Sequence, residues 1–500
     1  MALVAYLGVF LYCWPLQLQD YPNHLARAVV MANLMFDHGT RFGATFAYQF
    51  LIIPYVLADW ILATIVQVVG VSWASRLWSL LIFLSLPAAL YAYLRAKRAS
   101  ASTVVILLLL SLYLSTDTFF VLGFVSFRFA VAMVLVALAV VEPLSYRWSG
   151  WRYGAWVGVV MLGYLTHLAA LVFTAIALGT CSLIRIARRS SSIGREFLLL
   201  LPIAGLALCQ VALAARYRRA GDEIAETYIW GTPRTKVADL LWVFLGFHSR
   251  WQLLILAALV ACLLVLAVAT FRARQSRPGG VVSHWREPAV LEPWGIALAF
   301  ACVYVVLPSS YSEASFVDVR ALAPLWLFLI IGLVRWWERS APSASRAGSL
   351  ARALALLVAA LNLGYLGKRL YEDRSWLIQY RSVVASVPEG SSVLPIYTAA
   401  RSGIVRSRLH GAAYLVIDRA ANMPYLFSGD RGDPMEYFRY VNRPYAPPED
   451  WYGSHQSVDW NRVAGSYQFL LIMKPFEADR IPLTGRVVAQ NQTALLLALH

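Results

Sequence analysis

Apolar runs long enough to cross a membrane recur along the first three quarters of this 500-residue chain. A transmembrane helix needs about 20 mostly apolar residues to cross the ~30 Å hydrocarbon core of a bilayer. Charged residues make up only 14% of the chain, whereas soluble domains carry about 25%. The sequence therefore predicts an α-helical polytopic membrane protein, with membrane lipids among its partners.

The basic residues predict how the chain is oriented in the membrane. The net charge is +16, and the basic residues cluster between the apolar runs, near residues 95–98, 147–152, 185–195, 272–277 and 335–352. Cytoplasmic loops carry such an excess of Lys and Arg, so this pattern indicates a membrane protein and no nucleic-acid partner. If all five clusters are cytoplasmic, each stretch between them is a hairpin. This arrangement predicts about eleven transmembrane helices, in the inner membrane of a bacterium.

Two apolar runs, 45–69 and 75–94, lie where the orientation allows only one crossing. We assign the crossing to 75–94 and place 45–69 in the outer interface, because Pro54 and Asp59 interrupt the earlier run. The predicted membrane domain is then 1–367, with a first external loop at 18–74.

The C-terminal part, 368–500, has a higher charge density and no long apolar run. The segments 391–398, 467–473 and 486–499 have the composition of strands. We predict a small extracytoplasmic α/β domain here. His410 and Arg419 receive no role.

The predicted external turns carry a set of ionisable residues. They are Asp20, His24, Arg27, Asp117, His167, Arg218, Glu313 and Arg320. Ionisable groups at membrane depth are functional candidates by default. An acid beside a histidine suits general-base activation of a hydroxyl, and arginine binds phosphate oxygens in a bidentate manner. We therefore predict group transfer from a lipid-linked phosphate, with Asp20 and His24 catalytic and the other six residues binding substrate.

Each of these residues also has a purely structural alternative. Asp20 can cap the helix that begins near Pro22, and Asp117 can be a turn residue. His167 can be a hydrogen-bonded histidine at a helix end, and Arg320 can extend along the membrane surface towards water. For Arg27, the alternatives are binding of the donor phosphate and anchoring of its own helix.

The stretch "LQDYPNHLAR" around Asp20, the apolar loop segment 45–69 and "ASRLWSLLIFLSLPAALYAYLRAKR" (74–98) together carry a resemblance. The arrangement resembles the GT-C superfamily of integral-membrane glycosyltransferases, which includes protein O-mannosyltransferases and the aminoarabinose transferases of lipid A. In that superfamily an acidic motif opens the first external loop, directly after helix one. Asp117 resembles a second acidic position of some members, and a C-terminal soluble domain is a further shared feature.

The resemblance implies a glycosyltransferase that uses a polyprenyl-phosphate sugar donor and a glycan, lipid or protein acceptor outside the cytoplasm, with Asp20 as the general base. The sequence departs from the superfamily in having no second acid adjacent to Asp20. This departure favours a subclass that uses no metal, although a divalent metal stays open. No other cofactor is expected.

Two other functions remain as alternatives. A transporter would need charged groups at mid-membrane, of which Arg128 is the clearest, and usually has repeated halves. A non-catalytic assembly subunit of an envelope polysaccharide system is the second. The gathering of ionisable residues at the external turns favours the enzyme.

Overall fold

The structure is a computed structural model, and it describes residues 2–218, 228–245, 249–275, 287–311, 314–340, 346–396, 408–427, 437–447, 458–474 and 485–499. Helices form most of it. They are α1 (Ala2–Tyr12), α2 (Tyr21–Phe36), α3 (Val56–Ala96), α4 (Ala101–Leu114), α5 (Thr118–Val121), α6 (Val125–Tyr146), α7 (Gly150–Thr166), α8 (Leu168–Ala187), α9 (Ile193–Arg218), α10 (Pro233–Asp239), α11 (Arg250–Gln275), α12 (Pro288–Val306), α13 (Leu322–Ser340), α14 (Arg346–Val384), α15 (Tyr414–Arg419) and α16 (Trp460–Ser466).

Nine helical segments within the described residues are long and apolar enough to cross a membrane, so the chain is an integral membrane protein. They belong to α3, α4 with α5, α6, α8, α9, α11, α12, α13 and α14. The other two spans in our prediction of about eleven coincide with shorter helices, α1 with 11 residues and α7 with 17. The turns that we predicted near Asp117 and His167 lie at the ends of α4 and α7, as expected.

The two apolar runs that we separated at the first loop meet inside α3. Gly70 has φ +76° and ψ 162°, so the helical path breaks there. Glycine adopts a positive φ without the steric cost that a Cβ brings. The segments before and after Gly70 therefore have separate helical axes.

A cluster of buried charges joins the helix ends opposite to those that carry Asp117 and His167. Lys97, after α3, contacts Glu142 of α6, and its Nζ lies 2.6 Å from a carboxylate oxygen of Glu292 in α12. Arg185 of α8 lies 3.3 Å from Glu292 and 3.6 Å from Glu196 of α9. The side chains of all five are at most 11% exposed. Buried charges are tolerated when they are paired, and this cluster ties α6, α8, α9 and α12 to the end of α3.

Helix α14 continues past Gly367, where we predicted the last membrane helix to end, and runs to Val384. Its extension is amphipathic, with Leu370, Leu377 and Val384 buried at helical spacing. This pattern differs from a uniformly apolar membrane run, which is why the sequence indicated a boundary there. The extension packs against the C-terminal sheet and α15.

The C-terminal part contains the predicted sheet. Its strands are β5 (Val393–Ile396), β7 (Phe469–Met473), β8 (Arg486–Gln490) and β9 (Ala494–Ala498), in the order β5-β7-β9-β8. β5 and β7 are parallel and the other pairs are antiparallel. The segment 486–499, predicted as one strand, is a hairpin, because the side chain of Asn491 accepts hydrogen bonds from the backbone of Thr493 and Ala494 and closes a turn.

Short strands outside that sheet connect distant parts of the chain. β2 (Tyr228–Ile229), β3 (Ser310–Tyr311) and β4 (Ala314–Ser315) form one small sheet, and β1 (Phe46–Tyr48) pairs with β6 (Phe438–Tyr440) in another. In the β1–β6 pair, Phe46 lies opposite Tyr440, and their ring centroids are 4.6 Å apart. The first loop and the C-terminal part are therefore joined by backbone hydrogen bonds and aromatic packing.

Candidate functional site

Asp20 is held by the turn between α5 and α6. The backbone N–H groups of Gln19 and Asp20 donate to the carbonyls of Val121 (3.1 Å) and Leu122 (2.9 Å). Gly123 follows with φ +78°, and a Cβ built on it would lie 2.6 Å from the backbone nitrogen of Tyr21. The sequence thus fixes the Asp20 backbone through a contact that only glycine permits.

The carboxylate of Asp20 does not cap α2. Asp20 occupies the N-cap position, yet its side chain makes no capping hydrogen bond. Burial raises the pKa of Asp20 to about 7, while a hydrogen bond from Gln19 and the positive charge of Arg320 oppose that rise. A base works best when its pKa lies near the working pH. The carboxylate, 14% exposed, is therefore suited to accept a proton at neutral pH.

His410 lies beside Asp20, and His24 lies near His410. His410 Nε2 is 3.4 Å from Asp20 Oδ1, and the side chain of Phe427 packs edge-on against both His24 and His410. Burial lowers the pKa of His410 to about 4. Burial, with the nearby charges of Arg27 and His410, lowers the pKa of His24 to about 3. Both imidazoles are therefore uncharged at neutral pH.

Arg320 brings a positive charge to this group from the start of α13. Its guanidinium lies over the rings of Phe124 and Phe127, at 5.3 and 6.0 Å from their centroids. Burial lowers the pKa of His167, and the charge of Arg320 lowers it further. Asp20, His24, His167 and Arg320, all named from the sequence, thus belong to one region, which we call the Asp20 site.

His167 also fulfils the structural alternative. Its Nδ1 accepts a hydrogen bond from the backbone N–H of Ala169 at 2.9 Å and so caps α8. Its ring packs edge-on against Tyr55, with centroids 4.6 Å apart. The residue is only 5% exposed, so its contacts are chiefly internal.

Arg27 is engaged in a salt bridge. It lies 2.5 Å from a carboxylate oxygen of Asp59 in α3, and the hydroxyl of Tyr437 donates to the same oxygen. The Asp59 side chain is only 4% exposed. These contacts fit the second of our two alternatives for Arg27, an anchor for its helix.

Asp117 is paired with Arg128, the mid-membrane charge that the transporter alternative would use. Arg128 lies 2.6 Å from one oxygen of Asp117, while the other oxygen accepts from the backbone N–H of Phe120. Both side chains are 3% exposed. Asp117 also lines a cleft with, among others, Gln252 and Asp373. The structure therefore places Asp117 in an ion pair at the wall of a cleft.

Two of the predicted binding residues are not described. Glu313 lies outside the described residues, and so does the side chain of Arg218, at the end of α9. Within the part of the chain that the structure describes, no three His, Cys, Asp or Glu side chains gather closely enough to hold a metal ion.

Three residues of this region were not predicted from the sequence. His410 was given no role, Asp59 was used only to weaken an apolar run, and Gly123 was not considered. A carboxylate inside an apolar run is a signal for a buried partner, which Asp59 has. For His410 no local signal exists, because its partner lies at the other end of the chain.

The architecture matches that of known proteins. Two crystal structures of ArnT from Cupriavidus metallidurans, one in the apo state and one bound to undecaprenyl phosphate, align with TM-scores of 0.56 and 0.53. Each is 12% identical, and each alignment covers 100% of this chain and 97% of the other. No protein-family model and no curated protein sequence matches the chain. The fold is therefore GT-C-like, as the resemblance implied.

Proposed function

We propose that this protein is a glycosyltransferase that moves a sugar from a polyprenyl-phosphate donor to an acceptor hydroxyl, with Asp20 as the general base. The observation that carries the proposal is the Asp20 site itself. A carboxylate with a pKa of about 7 lies beside one uncharged histidine, His410, and near one guanidinium. The ArnT fold adds support, since one of the two matching structures is bound to undecaprenyl phosphate.

The proposed reaction transfers the sugar in one displacement. The acceptor oxygen bonds to the anomeric carbon as the bond between that carbon and the donor phosphate oxygen breaks. Asp20 takes the proton of the acceptor hydroxyl. Polyprenyl phosphate leaves with the bonding electrons, and the guanidinium of Arg320 stabilises its negative charge.

We further propose that the Asp20 site faces the outside of a bacterial inner membrane. His167 precedes α8 and Arg185 ends it, and likewise Arg320 precedes α13 whereas Arg335 lies near its end. The site and the basic clusters thus occupy opposite ends of the same helices. Because basic clusters mark the cytoplasmic side, this arrangement supports an extracytoplasmic site for a glycan, lipid or protein acceptor.

The experiment is a transfer assay with the purified protein in lipid nanodiscs. A panel of radiolabelled undecaprenyl-phosphate sugars is offered with an extract of bacterial envelope lipids and glycans, and label in the extract is counted. We expect transfer from at least one donor, and a decrease of about 10²–10⁴-fold in Asp20→Asn. The matched control is Asp37→Asn, an exposed acid at the other end of α2. Equal use of soluble nucleotide sugars, or near-normal transfer by folded Asp20→Asn, contradicts the proposal.

A further inference from the structure

His410, a titratable neighbour of Asp20, comes from the C-terminal part of the chain. His410 opens a short 3₁₀ turn, Gly411–Ala413, which continues into α15. Both elements pack on α2, and the hydroxyl of Tyr414 donates to the backbone carbonyl of Leu16 at 3.3 Å. The packing of the 3₁₀ turn and of α15 on α2 therefore sets the position of His410.

The chemistry of the pair determines the tautomer of His410. An uncharged imidazole has one N–H donor and one acceptor nitrogen, whereas an ionised carboxylate can only accept. Since Nε2 is the nitrogen that faces Asp20 Oδ1, Nε2 must carry the proton when Asp20 is ionised. Nδ1 is then an acceptor, and no donor reaches it within the part of the chain that the structure describes.

When Asp20 is ionised, this contact brings an uncharged imidazole beside a charged carboxylate. The pKa of Asp20 is about 7 and that of His410 about 4, so a proton binds to Asp20 first. At any pH at which Asp20 is ionised and able to act as a base, His410 is already neutral. An ion pair between the two is therefore not the working state.

We propose that His410 is a positioning residue for the proposed base: its Nε2–H donates to Asp20 Oδ1 and holds the carboxylate so that the second oxygen faces the acceptor hydroxyl. The role of His410 rests on the proposed function, whereas the contact between His410 and Asp20 is independent of that function. Oriented in this way, Asp20 receives the proton on the free oxygen, and His410 keeps its own. The C-terminal part then completes the active site.

The distance between His410 Nε2 and Asp20 Oδ1 fits a substrate-free site. At 3.4 Å the contact is longer than the ~2.7–3.2 Å usual for an N–H···O hydrogen bond. Catalytic hydrogen bonds are often long in the free enzyme and shorten when substrate binds. The charged and titratable groups around the pair are His24, Arg27, Tyr55 and Arg320. Their charges do not change between pH 5 and 9: the pKa of His24 is about 3, burial raises the pKa of Tyr55, and arginine stays charged across this range.

The test measures the ionisation of Asp20 directly in the full-length protein. Infrared difference spectra between pH 5 and 9 record the band of the protonated carboxyl, and Asp20→Asn assigns it. In His410→Leu the donor is lost and the charged form of Asp20 is less stable. We expect the titration midpoint to rise by about one to two pH units, as loss of one hydrogen bond to a charged group predicts.

Two polar variants keep the test valid if His410→Leu fails to fold. The amide nitrogen of His410→Gln can occupy the place of Nε2, so this variant should titrate like the wild type. The shorter His410→Asn cannot reach Asp20 and should raise the midpoint as His410→Leu does. His38→Asn, at an exposed turn with positive φ, is the matched control and should change nothing.

The same variants are assayed for sugar transfer across the pH range. Because wild-type Asp20 is about half ionised at pH 7, we expect His410→Asn to lose about fivefold of kcat/KM at that pH if the midpoint rises by one unit, and about 50-fold if it rises by two. Most of that loss should be recovered at pH 9, with KM for the donor unchanged. An unchanged Asp20 titration in folded His410→Asn overturns the inference. Because the infrared measurement needs no substrate, a raised midpoint in a protein that transfers no sugar would count against the proposed function alone.

Discussion

Gly123 lies directly against the backbone of Asp20, so closely that a Cβ on Gly123 would be 2.9 Å from the Asp20 nitrogen. Its φ of +78° is a second reason for glycine at this position. We expect Gly123→Ala to displace Asp20 and to decrease transfer by at least tenfold, because small misplacements of a reacting group cost much of the rate. Steady-state kinetics of the purified variant measure the effect.

The matched control for this substitution is Gly154→Ala. Gly154 lies in α7, and a Cβ there would meet nothing within 4 Å. Alanine is the better helix former by about 0.5–1 kcal/mol, so this control should be fully active and slightly more stable. Normal activity of Gly123→Ala would show that the Asp20 backbone does not depend on the contact.

The pH dependence of transfer should follow Asp20. Its pKa of about 7 means that the base is protonated below that pH. We therefore expect kcat/KM to fall about tenfold per pH unit below 7 and to reach a plateau above about 8. The small residual rate of Asp20→Asn should not decrease in this way below pH 7. If the chemical step limits the rate and kcat/KM is constant from pH 5 to 8, Asp20 is not the base.

The same raised pKa has a consequence for stability. Because burial raises the pKa of Asp20 above its ordinary value of 3.8, ionisation is less favourable in the folded state, and stability falls as pH rises from about 4 to 7. Asp20→Asn removes this ionisation. We expect its thermal midpoint at pH 8 to equal or exceed that of the wild type, which separates lost catalysis from lost folding.

Arg320 should act on the donor. Its guanidinium lies near Asp20 and can form a charge-assisted hydrogen bond to a phosphate oxygen. We expect Arg320→Gln to lose about 1.5–3 kcal/mol of donor interaction, which is roughly a 10–150-fold decrease in kcat/KM for the polyprenyl-phosphate sugar. Arg320→Lys keeps the positive charge but loses the planar guanidinium, so its kcat/KM should lie between those of the wild type and Arg320→Gln. An unchanged kcat/KM in Arg320→Gln would exclude the phosphate contact.

The Arg27–Asp59 pair should be structural. Arg27→Met leaves the buried Asp59 carboxylate without its cation, and we expect a loss of about 3–5 kcal/mol in the free energy of unfolding. Replacing both residues by apolar ones should restore much of that loss. Arg41→Met is the control, because its pair with Glu389 is exposed and worth at most about 1 kcal/mol. A stable Arg27→Met with impaired donor use would instead support phosphate binding by Arg27.

The buried charges around Lys97 should stabilise the helix ends far from the Asp20 site. Lys97→Met removes one of the two cations that Glu142 and Glu292 contact and leaves them with Arg185, so we expect a loss of at most about 3–5 kcal/mol. The exposed neighbour, Arg95→Met, should change stability by less than about 0.5 kcal/mol. Thermal unfolding of both variants in the same detergent gives the comparison. Equal midpoints would mean that the cluster contributes nothing to stability.

Most of the fold could be predicted from the sequence, because an apolar run of sufficient length has few options in a membrane protein. The turns at Asp117 and His167 are where the apolar and polar patterns placed them, and the three predicted strand segments contain the four strands of the C-terminal sheet. The continuation of α14 beyond the apolar run that ends at Gly367 was not predicted, since its last turns are amphipathic and bury one face against another part of the same chain. Such burial depends on tertiary packing, which a local pattern does not encode.

The candidate site could be predicted only in part. Asp20, His24, His167 and Arg320 share a region because the orientation of the helices alone places their turns on one side. Pairing within that side could not be predicted: the Asp59 partner of Arg27 and the His410 neighbour of Asp20 arise from contacts between segments far apart in sequence. Local patterns of polarity and spacing carry no signal for such contacts.

The pairing of β1 with β6 and the contact of Asp20 with His410 also set an order on biosynthesis. A ribosome releases Asp20 and β1 early, and every membrane helix has been made before His410 and β6 emerge. Until then, β1 in the nascent chain has no partner strand, and the carboxylate of Asp20 has no contact with His410. On the proposed function, a stalled or truncated chain lacks the donor that orients Asp20, and it should transfer sugar more slowly at neutral pH than the complete protein.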